Sequence, residues 1–211
     1  MNNFKKVSFI IPCLKYRDYI LEAIDSIKKQ TIQDYEIIVV SNEVDTRLND
    51  LEKLGVKFIQ STNFAPSLKI NEGFKVSSGN YITILSDDDK IEPDFIEKMY
   101  DENYDVVYSD MQVFGTKSFY VGASDWNKCQ FRISTVPFIT SMVSRRMFMI
   151  VNGYDVINYY DWDFWFKCFE AGAKAKRVRL PLFNYRATET NEASFKQDPK
   201  FRDEILAKHK K

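Results

Sequence analysis

Histidine is almost missing from this chain of 211 residues. The single one, His209, lies in a charged C-terminal stretch, which argues against most Ser-His-Asp and Cys-His catalytic arrangements. The sequence also contains neither the G-x-G-x-x-G pattern nor the G-x-x-x-x-G-K-[ST] pattern. Dinucleotide binding of the usual kind and P-loop phosphoryl transfer are therefore not expected.

Cysteines are few, and long apolar runs are absent. The three cysteines are odd in number and widely spaced, which fits neither a metal motif nor a disulfide framework and predicts a reducing compartment. No segment approaches the ~20 apolar residues of a membrane span, and the start of the chain lacks the apolar stretch of a signal peptide. We therefore predict a soluble, cytoplasmic protein. Its basic residues 208–211 are able to touch an anionic membrane, although a short basic tail is usually just solvated.

The chain has no excess of charge of either sign, because 30 Lys and Arg residues balance 30 Asp and Glu residues. Non-specific nucleic-acid binding requires clustered basic charge, so the balance gives no strong signal for a nucleic-acid partner. Hydrophobic residues make up 45% of the chain, which indicates a globular protein.

Strand and helix patterns alternate along the chain. Short apolar runs predict strands, and apolar residues at helical spacing predict helices. The predicted strands are 7–11, 35–40, 56–59, 81–85, 105–109, 139–144 and 176–185, and the predicted helices are 18–30, 45–54, 66–76, 93–100, 124–133, 161–170 and 198–211. Gly115 and Gly122 predict hairpin turns. This alternation is typical of a parallel sheet with helices on its faces, so we predict a single α/β domain over residues 1–211.

Three consecutive aspartates, Asp87, Asp88 and Asp89, directly follow the predicted strand 81–85. Adjacent carboxylates repel each other, and more strongly in the reduced dielectric at the end of an apolar run. A divalent cation such as Mg²⁺ or Mn²⁺ prefers oxygen ligands and shares them with substrate phosphates. Because ligands of open α/β sheets bind at the carboxyl ends of strands, the position favours a metal site over a solvated acidic turn.

A second acidic pair, Asp161 and Asp163, lies among aromatic residues at the start of a predicted helix. Residues two apart do not share a helical face, so the two carboxylates should have different roles. A carboxylate beside Trp162 and Trp165 is expected to be partly desolvated, which raises its pKa and suits it to accept a proton from a hydroxyl. The alternative for either residue is an N-cap or an acid that stabilises the helix dipole.

Five segments of the chain resemble motifs of family 2 glycosyltransferases with the GT-A fold. They are the opening strands with residues 29–31, the N-x-G and G-x-Y-I segments at 71–73 and 79–82, the D-x-D region at 86–89, the E-D-W-D-L-W-L-R-like segment at 161–167, and the late Y-R element at 181–186. The resemblance covers nearly the whole chain, and the linked motifs are far more specific than any one of them. It implies a GT-A nucleotide-diphospho-sugar transferase fold, with a Rossmann-like, mostly parallel central sheet flanked by helices.

The resemblance also implies a role for residues that match the motifs. Asp87 would hydrogen-bond the ribose of a nucleotide sugar, Asp88 would bind Mn²⁺ or Mg²⁺ at the diphosphate, and Asp89 would be a supporting acid or second metal ligand. Asp161 would be the catalytic base, with Asp163 as the runner-up. The other residues expected at the nucleotide-sugar site are Pro12, Leu14 and Tyr16, which would border a uracil pocket, and Asn42, Lys69, Asn71 and Ser86.

Several positions depart from the family pattern. Ser41 and Asn42 stand where the family usually has two aspartates, one of which reads the base, and UDP is the favoured nucleotide. The other replacements are Ser86 for the first acid of D-x-D, Tyr160 for a glutamate before the base, Ile70 beside Lys69 for an arginine, and Thr188 for a histidine that sometimes reaches the metal.

The implied activity is inverting transfer of a sugar from a nucleotide sugar to an acceptor hydroxyl, in polysaccharide or glycoconjugate synthesis. Residues 1–100 would bind the nucleotide sugar, and residues 101–211 would bind the acceptor. A saccharide is the default acceptor, and a modified nucleic-acid base is a minority alternative. Several aromatic residues of the second half would either stack on a sugar or form core: Phe114, Phe119, Tyr120, Trp126, Phe131 and Phe138.

Two other functions stay open. A sugar nucleotidyltransferase also uses a parallel sheet and metal-binding carboxylates, but the segment 12–17 lacks the glycine-rich basic loop that it needs. A non-catalytic nucleotide-sugar-binding module would account for the departures, although not for the presence of both acidic clusters.

Overall fold

The computed structural model of the protein describes residues 6–15, 18–43, 50–189 and 199–209. These residues form a nine-stranded sheet with the order β3-β2-β1-β4-β8-β6-β9-β5, and β7 pairs with β6. The strands are β1 (Val7–Cys13), β2 (Tyr35–Ser41), β3 (Val56–Gln60), β4 (Tyr81–Ile84), β5 (Lys90–Ile91), β6 (Val106–Gly115), β7 (Phe119–Val121), β8 (Met142–Ser144) and β9 (Ala175–Ala187). Each of the predicted strands overlaps one of these.

Helices cover the sheet in the described part of the chain. They are α1 (Tyr19–Lys28), α2 (Pro66–Val76), α3 (Phe95–Met99), α4 (Lys128–Phe131), α5 (Arg145–Ile150), α6 (Tyr160–Glu170) and α7 (Pro199–Lys208), with a 3-10 helix at Asp50–Leu54. The predicted helix 45–54 lies partly outside the described residues. Of the helices described, none has the length and apolar character needed to cross a membrane.

Apolar residues alternate between the two faces of the sheet, and each face buries a core of its own. Ile10 and Ile38 belong to the core under α2 and α6, whereas Phe9 and Val39 belong to the core under α1 and α3. Helix α2 approaches β1 closely because Gly73 has no side chain: a Cβ there would lie 2.6 Å from Cγ2 of Ile10. Burial on both faces explains why the strands read as nearly continuous apolar runs.

The strand directions place several strand ends together. β1, β2, β3 and β4 are parallel. β8 lies antiparallel between β4 and β6, so β6 runs in the same direction as β4. The carboxyl ends of β1, β2, β3, β4 and β6 therefore lie on one side of the sheet, which we call the carboxyl edge. β9 starts beside the start of β6, with Ala175 opposite Val106. Helix α6 precedes β9 and packs on the sheet, so its N-terminus lies at the carboxyl edge.

The second half of the sheet differs in detail from the sequence prediction. The predicted strand 105–109 continues to Gly115, because it pairs along β9 through an irregularity at Asp110. β8 makes the sheet mixed, since it is antiparallel to both neighbours. β5 and α5 are not predicted from the sequence. β5 has two residues and α5 has six, and elements this short show too little hydrophobic periodicity. The predicted hairpin turn at Gly115 is confirmed, because β6 ends at Gly115 with φ of 104° and β7 then pairs antiparallel with β6.

The C-terminal helix is present as predicted, but it is not solvated on all sides. Ile205 is fully buried and His209 is 4% exposed. The two residues are four positions apart and so share one helical face, which packs against the body of the protein. The prediction that this end of the chain is solvated is therefore wrong at this face.

Candidate active site

The three aspartates form a turn at the carboxyl edge, directly after β4. The backbone N–H of Asp89 donates to the carbonyl of Ser86 at 3.3 Å. Asp87 is 7% exposed and Asp89 is 2% exposed, whereas Asp88 is half-buried. Asp88 is thus the most accessible carboxylate of the turn.

Asp89 is directed into the protein. Its Oδ1 accepts the backbone N–H of Arg186 on β9 at 2.8 Å. Burial, followed by the charge of the adjacent Asp88, raises the pKa of Asp89 well above its ordinary value. The structure therefore makes Asp89 a link between the aspartate turn and β9, and its role as a second metal ligand stays a prediction.

Arg186 fixes the other side of the aspartate turn. Its Nε donates to the backbone carbonyl of Asp88 at 2.7 Å, and its Nη2 donates to Oε2 of Glu22 on α1 at 2.8 Å. The guanidinium also lies 4.1 Å from the ring centre of Tyr19 and 4.6 Å from that of Phe114. The sequence identifies Arg186 only through its place in the Y-R element and gives no signal for these partners.

A buried group of three side chains lies at the ends of β1 and β4. Nζ of Lys69 donates to the backbone carbonyl of Cys13 at 2.9 Å. Burial raises the pKa of the Cys13 thiol to about 12, and Asp87 acts in the same direction through its charge and a hydrogen bond. Burial lowers the pKa of Lys69, against the attraction of Cys13 and Asp87. Lys69 is 2% exposed, so it supports the carboxyl edge from within the protein.

Asn42 closes the end of β2. Its Nδ2 donates to the carbonyls of Ser61 at 3.1 Å and Asn63 at 2.7 Å. Its Oδ1 is buried, and within the described residues it has no hydrogen-bond partner. The preceding Ser41 is fully buried, and its Oγ accepts the backbone N–H of Glu43 at 3.2 Å. Asn42 is thus anchored through its Nδ2 to the segment 61–63.

The other residues expected at the nucleotide site differ in placement. Pro12 and Ser86 are half-buried at the carboxyl edge, and Leu14 is 49% exposed. Tyr16 lies outside the described residues. Asn71 forms two hydrogen bonds with the backbone of Tyr154, one from its Nδ2 to the carbonyl and one from the N–H to its Oδ1. It therefore links α2 to the segment before α6.

The donor set of the aspartate turn fits a shared metal site. Over residues 6–15, 18–43, 50–189 and 199–209, no group of three or more His, Cys, Asp or Glu side chains is arranged to hold a metal by itself. Mg²⁺ is usually bound by one or two carboxylates together with substrate phosphates, so a complete protein cage is not required. Asp88 fits such a site, whereas Asp89 is engaged with the backbone of Arg186.

Asp161 lies in the first turn of α6, at the carboxyl edge. The helix follows Tyr159, whose backbone is left-handed with φ of 52°. Asp161 keeps part of its surface exposed although protein surrounds it closely. This burial raises the pKa of Asp161 above its ordinary value, against hydrogen bonds from the backbone N–H groups of Trp162 and Asp161. The site thus contains an accessible carboxylate with increased proton affinity.

Asp163 has a different environment, as the spacing predicts. The side chain is fully buried, and its Oδ1 lies 2.9 Å from Nε2 of His209 and 2.7 Å from Nζ of Lys208. Burial favours a higher pKa, but the hydrogen bonds from His209 and Lys208 outweigh it and lower the pKa of Asp163. The sequence does not reveal these partners, because His209 is 46 positions away.

The aromatic residues of the second half divide between core and surface. Phe131 is fully buried, and its ring centre lies 5.0 Å from that of Trp126. The ring centre of Phe138 lies 6.2 Å from that of Phe183. These residues therefore form core. Tyr120, by contrast, is 55% exposed. Stacking on a sugar therefore concerns the exposed rings alone.

The family model for glycosyl transferase family 2 matches residues 8–150. The chain belongs to glycosyltransferase family 2. The matched segment contains the aspartate turn, the strands β2 to β8, and β1 except for Val7. The resemblance drawn from the motifs is therefore confirmed, although the segment that contains Asp161 lies beyond the match.

Two curated relatives of this family 2 member come from bacteria. The uncharacterized glycosyltransferase YwdF of Bacillus subtilis is 28% identical over 203 residues, which are 82% of this chain and 70% of YwdF. Glycosyltransferase GlyA of Streptococcus pneumoniae serotype 4 is 31% identical over 102 residues, which are 45% of this chain and 14% of GlyA. The chain therefore spans a small part of the longer relative.

Solved structures share the fold of this family 2 member. The crystal structure of S. aureus TarS 1-349 matches 97% of this chain and 70% of its own chain, with a TM-score of 0.72 and 17% identity. The complex of TarS 1-349 with UDP-GlcNAc matches with a TM-score of 0.74, 16% identity and coverage of 97% and 71%. At this identity the likeness shows the fold, and it confirms the predicted GT-A architecture.

Proposed function

We propose that this family 2 glycosyltransferase is inverting and metal-dependent and moves a sugar from a UDP-sugar to a hydroxyl of a saccharide acceptor. The position of Asp161 supports the proposal most strongly. An accessible carboxylate with a raised pKa lies at the same carboxyl edge as Asp87 and Asp88. Sugar transfer requires these two parts together, a place for the diphosphate and a base for the acceptor.

A UDP-sugar donor is supported by the residues at the strand ends. Within the described residues, Oδ1 of Asn42 has no hydrogen-bond partner, and this oxygen would accept the N–H of a uracil ring. Asp87 lies at the end of β4, where its carboxylate would accept hydrogen bonds from the ribose hydroxyls. TarS, which shares the fold, has been crystallised with UDP-GlcNAc and with UDP.

Asp88 is the residue that would hold Mn²⁺ or Mg²⁺. When bound, such an ion stabilises the negative charge that develops on a departing diphosphate. Arg186 fixes the backbone of Asp88 through the bond from its Nε to the carbonyl, so the carboxylate is presented from a firmly held turn.

Asp161 would take the proton of the acceptor hydroxyl. As the hydroxyl oxygen forms its bond to the anomeric carbon, the bond from that carbon to UDP breaks, and its electron pair leaves with UDP. A single displacement from the opposite side inverts the anomeric centre. Asp163 is not the preferred base, because it is fully buried and paired with Lys208 and His209.

A screen of nucleotide sugars with and without Mn²⁺ tests the proposal. A ligand at 100 times its Kd stabilises the folded state by about 2.7 kcal/mol, which raises the Tm of a domain of this size by roughly 5–10 °C. We expect such a rise with a UDP-sugar and Mn²⁺, a smaller one with EDTA, and none with the matching GDP-sugar. We also expect UDP release in the presence of a saccharide acceptor.

Two outcomes would contradict the proposal. If no UDP-sugar changes the Tm or is consumed, the donor class is wrong. If a UDP-sugar raises the Tm but no acceptor or water ever releases UDP, the chain is a binding module.

A further inference from the structure

The end of the C-terminal helix α7 packs against α6, the helix that contains Asp161. The ring of His209 is buried between two carboxylates of α6: Nε2 lies 2.9 Å from Oδ1 of Asp163, and Nδ1 lies 2.8 Å from Oε2 of Glu170. The ring also stacks on Phe166, with 4.2 Å between the ring centres and 7° between the planes. His209 therefore contacts α6 in its first turn and at its last residue.

Lys208 adds a second contact to the same carboxylate. Its Nζ lies 2.7 Å from Oδ1 of Asp163 and 2.6 Å from Oδ2 of Asp155. Lys167 is more distant, with its Nζ 3.9 Å from Oδ2 of Asp163 and 3.4 Å from Oδ1 of Asp155. The charged groups around His209 are thus Asp163, Glu170, Lys208 and Lys167, with Asp155 beyond the lysines.

The contacts on Asp163 lie in the first turn of α6. Asp163 is fully buried, and a buried carboxylate that loses its partner is strongly destabilised. It is two residues from Asp161, in the same turn, so we expect a movement of this turn that relieves Asp163 to move the Asp161 carboxylate as well. Asn71 holds the segment before α6, and Trp162 anchors the first turn through the bond from its Nε1 to the carbonyl of Phe131 at 2.8 Å. The contacts from α7 support the same turn at a further point, the carboxylate of Asp163.

We propose that His209 and Lys208 are positioning residues for sugar transfer, which act through Asp163 to hold Asp161 toward the acceptor hydroxyl. The proposal rests on the proposed function, in which Asp161 is the base. It assigns a role in turnover to a helix that lies outside the segment matched by the family model.

The environment of His209 makes this support dependent on pH. Burial favours a lower pKa, but the hydrogen bonds and charges of Asp163 and Glu170 outweigh it and raise the pKa of His209. Because the folded pKa is above the unfolded one, the stabilisation is complete below the unfolded pKa and is lost as the pH rises through the folded pKa. The first turn of α6 should therefore loosen on the alkaline side.

Four variants test the proposal: His209→Gln, Lys208→Met, the conservative Lys208→Arg, and Glu204→Gln as a control on the exposed face of α7. Kinetics are followed as UDP release from UDP-GlcNAc with Mn²⁺, or from the UDP-sugar that the screen selects, well below the Tm of each variant. We expect kcat to fall about tenfold or more in His209→Gln and Lys208→Met with KM for the donor unchanged, since a misplaced catalytic group costs rate rather than binding. Lys208→Arg and Glu204→Gln should keep the wild-type kcat.

A second readout does not depend on turnover. Trp162 and Trp165 lie in α6, so tryptophan fluorescence should change as His209 loses its proton, and His209→Gln should abolish that transition. A folded His209→Gln with wild-type kcat, pH profile and fluorescence overturns the proposal. If His209→Gln does not fold, wild-type kcat in Lys208→Met overturns it.

The failure of this proposal is distinguishable from failure of the proposed function. Asp161→Asn is measured in parallel. Full activity in Asp161→Asn would show that Asp161 is not the base, and the positioning role would then lose its premise. An inactive Asp161→Asn beside a fully active His209→Gln and Lys208→Met would leave the base in place and reject the positioning role alone.

Discussion

The side-chain amide of Asn71 binds the backbone of Tyr154 at both ends. Nδ2 donates to the carbonyl of Tyr154 at 2.8 Å, and Oδ1 accepts its N–H at 2.9 Å. Gly153 permits this approach, because a Cβ there would lie 2.4 Å from Oδ1 of Asn71, and its φ is 67°. A residue whose motif suggests nucleotide binding is thus part of the connection between α2 and α6.

Asn71→Asp should lower the free energy of unfolding by about 1–3 kcal/mol, because a carboxylate cannot donate to the Tyr154 carbonyl and leaves it unsatisfied. Urea unfolding measures the loss, and calorimetry with UDP and Mn²⁺ measures ligand affinity in the folded variant. We expect reduced stability with near wild-type affinity for UDP. Unchanged stability with lost affinity would instead place Asn71 at the nucleotide.

Asp88→Asn should abolish Mn²⁺-dependent binding of UDP. The turn should survive, because Arg186 holds it through the backbone carbonyl of Asp88. Titration calorimetry with and without Mn²⁺ is the measurement, and the exposed Asp203→Asn on α7 serves as the matched control. Unchanged Mn²⁺-dependent affinity for UDP in Asp88→Asn would show that Asp88 is not the metal ligand.

Asp89→Asn should keep Mn²⁺-dependent UDP binding, because an amide oxygen still accepts the backbone N–H of Arg186. Asp89→Ala should lower the free energy of unfolding by about 1–3 kcal/mol, since that N–H is then left unsatisfied. The same calorimetry and urea unfolding distinguish the two effects. A loss of Mn²⁺ binding in Asp89→Asn as large as in Asp88→Asn would make Asp89 the second ligand.

Asp161→Asn should keep donor affinity but reduce kcat by about 10²–10⁴-fold, the usual contribution of a general base. A base acts only when deprotonated, so the wild-type rate should fall as the pH falls through the pKa of Asp161. Burial raises that pKa, so the acid limb should lie above the range of an ordinary aspartate. A kcat profile against pH checks both points, and full activity in Asp161→Asn would move the base elsewhere.

The part of the site at the strand ends is predictable because its signals are local. The apolar run 81–85 and the three carboxylates after it identify a strand and its end. Parallel strands then bring their carboxyl ends to one edge, which the structure confirms for β1, β2 and β4. The raised pKa predicted for a carboxylate among aromatic residues is found for Asp161 but not for Asp163, whose pKa is lowered by His209 and Lys208.

Contacts between distant parts of the chain are not predictable in this way. Which aspartate of the turn faces inward depends on Arg186, 97 residues from Asp89. His209 appears among charged residues, so its sequence suggests solvent exposure, and its burial depends on carboxylates 39 and 46 residues away. The spacing of Phe201, Ile205 and His209, each four residues apart, is a local signal of a buried face.

The antiparallel β8 has a practical consequence for redesign. It pairs with β4 from the first half and with β6 from the second, while β5 pairs with β9. A chimera that joins residues 1–100 of one enzyme to the remainder of another would have to rebuild both pairings, and a poor fit would leave open strand edges that promote aggregation. Engineering of new donor or acceptor preferences in this scaffold should therefore exchange individual side chains along the carboxyl edge.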